Sequence, residues 1–154
     1  TSPKYKVYFH IVGEFFSQRE REECMSVIQQ NHLESYAILH GQQAGESLDT
    51  LVEQCDLGIG SLGRHRSGIT DIKTLKNREY AARGIPFIYS ETDEDFENMP
   101  YIMKIPANES PVDIQQIIHF YNNITISPSV IRDSIKHLSW KEQMKTVINS
   151  IANS

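Results

Sequence analysis

The sequence predicts an α/β fold, a parallel sheet with helices on both faces. Short β-rich runs alternate with longer segments of helical periodicity through most of the chain, and capping and stop signals separate them. Strands spaced by helices need crossover connections, which leave the strands parallel and the sheet covered on both sides. In such sheets ligands bind beyond the carboxyl ends of the strands, so the loops there are where chemistry is sought.

Tyr5 to Val12 is β-rich, apolar on both alternating faces and closed by Gly13, as a buried parallel strand would be. Ser17 and Glu20 form an S-x-x-E capping box, and Cys24, Val27 and Ile28 give the stripe by which the following helix packs. Ser35 to Leu39 is the second strand, and Leu48, Leu51, Val52 and Cys55 mark the next helix. Leu57 to Leu62 is the third strand, followed by a polar stretch from Gly63 to Thr70 and a helix from about Ile72 to Arg83 that Gly84 stops. Phe87 to Tyr89 and Tyr101 to Ile105 are strands flanking an acidic loop from Glu91 to Glu97. Ser110, Pro111 and Asp113 open a helix with Ile114, Ile117, Ile118 and Tyr121 on one face, Pro111 taking its first helical position. Residues 127–154 hold two closing helices, entered through Ser127 and Pro128 and through a second capping box of Ser139 and Glu142. Trp140, Met144, Val147, Ile148 and Ile151 stripe the last of them.

With 39% apolar and 23% charged residues, 154 residues are enough for one domain with a real core. A net charge of -5 argues against a general affinity for nucleic acid or anionic membrane, so any anion site must be local. Cys24 and Cys55 fall on buried helix faces with neither CxxC spacing nor a histidine set, which reads as two buried reduced thiols in the cytoplasm. The sequence has neither a run long enough to span a membrane nor a signal-peptide pattern, and its first residue, Thr, suggests a fragment.

Positive charge gathers between Asp56 and Pro86, where Arg64, Arg66, Lys73, Lys76 and Arg78 surround His65. A Gly- and Ser-rich loop feeding a helix N-terminus offers free backbone N–H groups and a positive dipole end, which suits a phosphate. The dipole contributes only ~0.3–1 kcal/mol, up to ~2 when partly buried, so side chains or several amides must add to it. The bland alternative is a solvated basic loop. Gly58, Gly60 and Gly63 match GxGxxG with Glu79 downstream, but Arg64 to Thr70 intervenes before the helix, so the dinucleotide fingerprint is incomplete. Asp71 reads as a helix cap or a site acid. Glu79, two turns in, is not a cap, and its plain role would be to pair with Lys76. His10, His40 and His65 are not spaced as metal ligands, and no metal is expected.

From Val7 to Trp140 the chain resembles the carboxyl-terminal domain of retaining glycosyltransferases of the GT-B fold, the glycosyl transferases group 1 family. His10 to Glu14 (HIVGE), Ile38 to Gly41 (ILHG) and Cys55 to Leu62 (CDLGIGSL) are similar, in order and spacing, to three strands of that domain. Asp71 to Pro86 (DIKTLKNREYAARGIP) resembles the family's E-x7-E segment and the E-[AY]-x-A-x-G-x-P that follows.

The resemblance implies a Rossmann-like half of a GT-B fold that lacks its first strand and helix, the whole chain being one nucleotide-sugar-binding fragment. Glu79 matches the acid that accepts hydrogen bonds from the donor ribose, each worth ~1.5–3 kcal/mol. Asp71 matches the acid that contacts the transferred sugar, one methylene shorter than the usual Glu. The backbone of Ile72, Lys73, Thr74 and Leu75 would take the diphosphate, although Ile72-Lys73-Thr74 stands where the family often has Gly. Gly13, His40 and Gly41 would lie on the nucleobase side, with Ser61 and Arg64 in the donor loop.

The implied reaction passes a hexose from a nucleoside diphosphate sugar to an acceptor hydroxyl with retention, without cofactor or metal. The acceptor would be held by an amino-terminal domain, so this fragment alone would be inactive. Self-association or a rearranged sheet would compensate for the missing strand. The full-length parent is expected in the cytoplasm or peripheral to the inner face of the membrane. The competing expectations are a non-catalytic Rossmann-like domain that binds an anion or a partner protein, and a dinucleotide-dependent oxidoreductase.

Overall fold

The structure, a computed structural model, describes residues 4–152. It is α/β, with five short parallel strands and six α-helices among those residues. The chain divides into two compact units, and the division falls between Gln54 and Cys55.

The first unit runs β1 (Phe9–Ile11), α1 (Gln18–Gln30), β2 (Ala37–Leu39) and α2 (Glu46–Glu53). β1 and β2 pair in parallel, with Phe9 opposite Ala37, His10 opposite Ile38 and Ile11 opposite Leu39. The N-terminus of α1 forms as the capping signal requires, Ser17 Oγ accepting the Glu20 N–H at 3.2 Å. The expected strand Tyr5 to Val12 shortens to three residues, of which Phe9 and His10 are exposed. Apolar alternation signals a strand but cannot supply the layers that bury it, and Ile28 is the one buried residue described in this unit.

The second unit holds β3 (Gly58–Ile59), α3 (Leu75–Arg83), β4 (Phe87–Tyr89), β5 (Ile102–Lys104), α4 (Ile114–Asn122), α5 (Pro128–Ser134) and α6 (Trp140–Ala152). Its sheet has the order β3-β4-β5, all parallel. The described strands therefore form two sheets, of two and three strands, where one continuous sheet was expected. No helix spans the β4–β5 crossover. The acidic loop makes that connection, and its Phe96 is fully buried against Phe87. Ala81, Phe87, Tyr89, Tyr101, Ile131 and Ile135 complete this core.

Two glycines of the GxGxxG match are packing devices. A Cβ on Gly58 would stand 2.6 Å from the Tyr80 ring, and one on Gly60 would stand 2.5 Å from Asn77 Oδ1. Their absent side chains let α3 lie close on the sheet, and Tyr80 donates its hydroxyl to the Ile59 carbonyl at 3.2 Å. Gly58→Ala is therefore expected to lower the unfolding free energy by about 1–3 kcal/mol in urea denaturation. Gly63→Ala is the control, because a Cβ there meets nothing within 4 Å.

Several boundaries move. α3 begins at Leu75, capped by Thr74, and not at Ile72. α4 begins at Ile114 with Asp113 as its cap, which leaves Pro111 outside the helix, whereas Pro128 does open α5. Cys24 and Cys55 are half-buried, not buried. Burial and the nearby Asp56 carboxylate raise the Cys55 thiol pKa. The apolar stripe of α6 is exposed, Trp140 by 83%, and the last two residues of the expected closing helix lie outside the described residues. No described helix is long and apolar enough to cross a membrane.

Candidate functional site

Because β3, β4 and β5 are parallel, their carboxyl ends share one edge, and the loops leaving them are bound together there. The Ser61 carbonyl accepts both the N–H and the hydroxyl of Ser90, at 3.0 and 3.1 Å. Arg64 N–H donates to Glu91 Oε1 at 3.0 Å. Thr92 N–H donates to the Thr70 carbonyl at 2.7 Å and Ile72 N–H to the Thr92 carbonyl at 2.9 Å, a bridge that brings Asp71 opposite Thr92. Asp71 is thus a bridge residue ahead of α3 and does not cap it. Its carboxylate accepts from the Thr70 hydroxyl at 2.6 Å.

α3 starts beside this edge. Thr74 Oγ1 accepts the Asn77 N–H at 3.4 Å, while the N–H groups of Leu75 and Lys76, in the first turn, have no intrahelical acceptor. Leu75 is 82% exposed. Glu79 follows on the next turn, its side chain 51% exposed and its carboxylate 3.4 Å from Arg83, the partner it takes in place of Lys76. The Ile72 N–H is already committed to Thr92, so the amides open to an anion begin after it.

The basic segment is more neutralised than its composition implies. Arg78 is bound by Asp93 at 3.1 Å and by Asp95, and Asn77 Nδ2 donates to Asp93 at 3.1 Å. The Asp93 side chain is 0% exposed, so this pair belongs to the interior. Burial works against the Arg78 charge, but the two aspartates outweigh it and raise its pKa. Lys73 lies 3.5 Å from Asp95 and 3.6 Å from Glu94. Arg66 and His65 both hold Glu109. Arg64 and Lys76 are exposed, and their side chains form no salt bridge among the described residues. An anion reaching this edge would meet them.

Sequence reasoning passed over Asn77, Glu91 and Asp93, all buried here. Asn77 Oδ1 and Glu91 Oε2 have no hydrogen-bond partner. The signal for Asp93 was present in the acidic loop, whose charge faces Arg78 and Lys73. Hydrogen bonds from Arg66 and His65 hold the Glu109 carboxyl down at about 2. A carboxylate depressed in the folded state contributes stability above its unfolded pKa and loses it as pH falls toward the folded value. The tie between Glu109 and the Arg64–Ser67 turn is therefore expected to survive acidification through the ordinary glutamate range, near 4.3, and to break only as pH approaches about 2. Carboxyl NMR titration checks this, and a Glu109 midpoint near the ordinary value would contradict it.

Gly13, His40 and Gly41 belong to the first unit. Gly13 and Gly41 have φ of 121° and 64°, which favour glycine, and Gly13 N–H donates to the Gly41 carbonyl at 2.8 Å. His40 N–H donates to the Ile11 carbonyl at 2.9 Å. Its ring lies within 11° of parallel to that of His10, centroids 5.1 Å apart, and meets it through a hydrogen bond between His10 Nδ1 and His40 Nε2 at 2.9 Å.

No family model, curated protein or solved structure matches the chain. Among the described residues, no three or more His, Cys, Asp or Glu side chains are arranged to hold a metal. One cavity of about 130 Å³ lies after β5, lined by Lys104, Asn108 and Asp113 among others, and contains none of the expected donor residues.

Proposed function

We propose that this chain is the donor-binding domain of a retaining GT-B glycosyltransferase, and that it takes a nucleoside diphosphate sugar. One observation carries the reading. α3 opens beside the carboxyl edge of a parallel sheet, leaves the Leu75 and Lys76 amides without intrahelical acceptors, and sets the exposed Glu79 carboxylate one turn later. This is the order in which a donor presents a diphosphate and then a ribose.

In this reading the diphosphate binds the Leu75 and Lys76 amides, with Arg64 and the Lys76 ammonium adding charge. Glu79 accepts the ribose hydroxyls, and Asp71, at the edge bridge, faces the transferred hexose. The chain's work is electrostatic, holding the charge that develops on the departing diphosphate as the hexose passes to an acceptor hydroxyl. A second domain holds the acceptor, so this chain alone is not expected to transfer sugar. A dinucleotide site gains nothing from Gly58 and Gly60, whose missing side chains are accounted for by Tyr80 and Asn77.

The test is an NMR titration of the chain with UDP, GDP, ADP, their sugar conjugates and NAD. Selective perturbation of Leu75 to Glu79 by one nucleoside diphosphate supports the reading. Perturbation around Arg64 and Lys76 that ignores the nucleoside supports a general anion-binding domain instead, and a preference for NAD an oxidoreductase.

A further inference from the structure

The last helix, α6, is anchored at its start and uncovered beyond it. Ser139 Oγ accepts the Glu142 N–H at 3.4 Å, and Gln143 Nε2 donates to the His137 carbonyl at 2.9 Å, so the first turn is tied to the residues just before it. Trp140, Met144, Val147, Ile148 and Ile151 are between 45% and 83% exposed. Helical periodicity gathers them on one face about 100° wide, while Glu142, Lys145 and Asn149 take the opposite side.

Single exposed apolar residues are ordinary on a protein surface, but a contiguous face of them marks an interaction site. These five residues expose on the order of 600 Å², the top of the range of about 300–600 Å² for the largest patch on a typical monomer. A helix of 13 residues is also marginal in water unless its apolar face packs. We propose that this face pairs with the same face of a second copy of the chain, α6 lying antiparallel on α6.

The helix itself selects a copy as its partner. Trp140, Met144, Val147 and Ile151 follow one another at intervals of four, three and four, the alternation by which two helices interdigitate along a seam. Two-fold symmetry makes each contact occur twice, so covering the face in both copies removes on the order of 1,200 Å², enough for a specific interface at the small end of the standard size. Charge fixes the direction. The last turn holds no basic residue to meet its unpaired carbonyls, and an antiparallel copy brings Lys141 there from its own first turn. A parallel pair would instead set like helix ends together. In the antiparallel pair Trp140 packs over Ile151 of the second copy, which takes the indole out of water. The pairing does not depend on what the carboxyl edge of the sheet binds, so it stands or falls apart from the donor-binding reading.

The experiment is sedimentation equilibrium of the chain over about a hundredfold range of micromolar concentrations, with tryptophan emission recorded on the same samples. Trp140 is the chain's one tryptophan, so the emission reports on this face alone. The expected result is a reversible monomer–dimer equilibrium, with emission shifting to the blue as the dimer forms. Val147→Glu places a charge at the middle of the face and should weaken pairing by at least about tenfold. Asn149→Glu adds the same charge on the opposite side and should leave pairing unchanged. Lys141→Glu should weaken it less than Val147→Glu does, and unaltered affinity there would overturn the antiparallel arrangement. A chain that stays monomeric, a dimer whose emission does not move, or a dimer that Val147→Glu leaves intact would overturn the interface. The emission shift comes from the unsubstituted chain and keeps the result decisive even if a variant fails to fold.

Discussion

Phe87→Ala is expected to cost the second unit about 3–5 kcal/mol, because truncating a fully enclosed aromatic loses both its transfer energy and the packing around the void. Phe87 is 0% exposed, and its ring meets those of Phe96 at 5.2 Å, Tyr89 at 5.7 Å, Tyr80 at 6.0 Å and Tyr101 at 6.1 Å. Those partners come from α3, β4, the acidic loop and the residue before β5, so one truncation loosens the whole layer that carries the carboxyl edge. Against a usual total of about 5–15 kcal/mol, such a loss leaves little margin. Urea denaturation followed by far-UV circular dichroism is the suitable measurement, since the one tryptophan, Trp140, is too exposed to report on this core. Phe16→Ala is the comparison. Phe16 is 97% exposed, and its loss should stay within about 0.5 kcal/mol. A cost for Phe87→Ala no larger than that would mean the core lies elsewhere.

Asp93→Ala is expected to destabilise nearly as strongly. Removing one partner of a buried pair costs about 3–5 kcal/mol because the remaining charge stays desolvated, and the partial exposure of Arg78 puts this case near the lower end. The loss would be felt at the site as well. Asp93 holds both Asn77 and Arg78, which form the second half of the first turn of α3. The double variant Asp93→Leu with Arg78→Met should recover much of the stability, since an apolar pair leaves no buried charge. If the single and double variants unfold alike, the pair is not what holds α3 in place.

What the sequence disclosed was local, and what it concealed was pairing at a distance. The caps at Ser17, Ser127 and Ser139 and the stop at Gly84 were legible because each depends on residues within a turn. The start of α3 was misplaced because Asp71 looked like a first-turn acid, whereas its backbone bridges to Thr92 beyond the next strand. The basic segment looked available to a ligand because Arg78 is 15 positions from Asp93 and Arg66 is 43 from Glu109, beyond any helical spacing rule. Likewise the histidines appeared unrelated until the register of two strands joined His10 to His40. The burial expected of Phe9 and His10 failed for a related reason, since apolar character marks a strand but does not decide which layers cover it.

Glu79 is the residue on which the donor-binding reading turns, and it can be removed without disturbing the fold. Its side chain is half exposed, and the surface pair with Arg83 contributes little. The measurement is the affinity of the chain and of Glu79→Ala for the best-bound nucleoside diphosphate, with inorganic pyrophosphate in parallel. Losing hydrogen bonds to a charged acceptor, at ~1.5–3 kcal/mol each, should weaken the nucleotide by about tenfold or more and leave pyrophosphate unchanged. Equal nucleotide affinity in the two chains would contradict the assignment of Glu79 to the ribose, and with it the central claim.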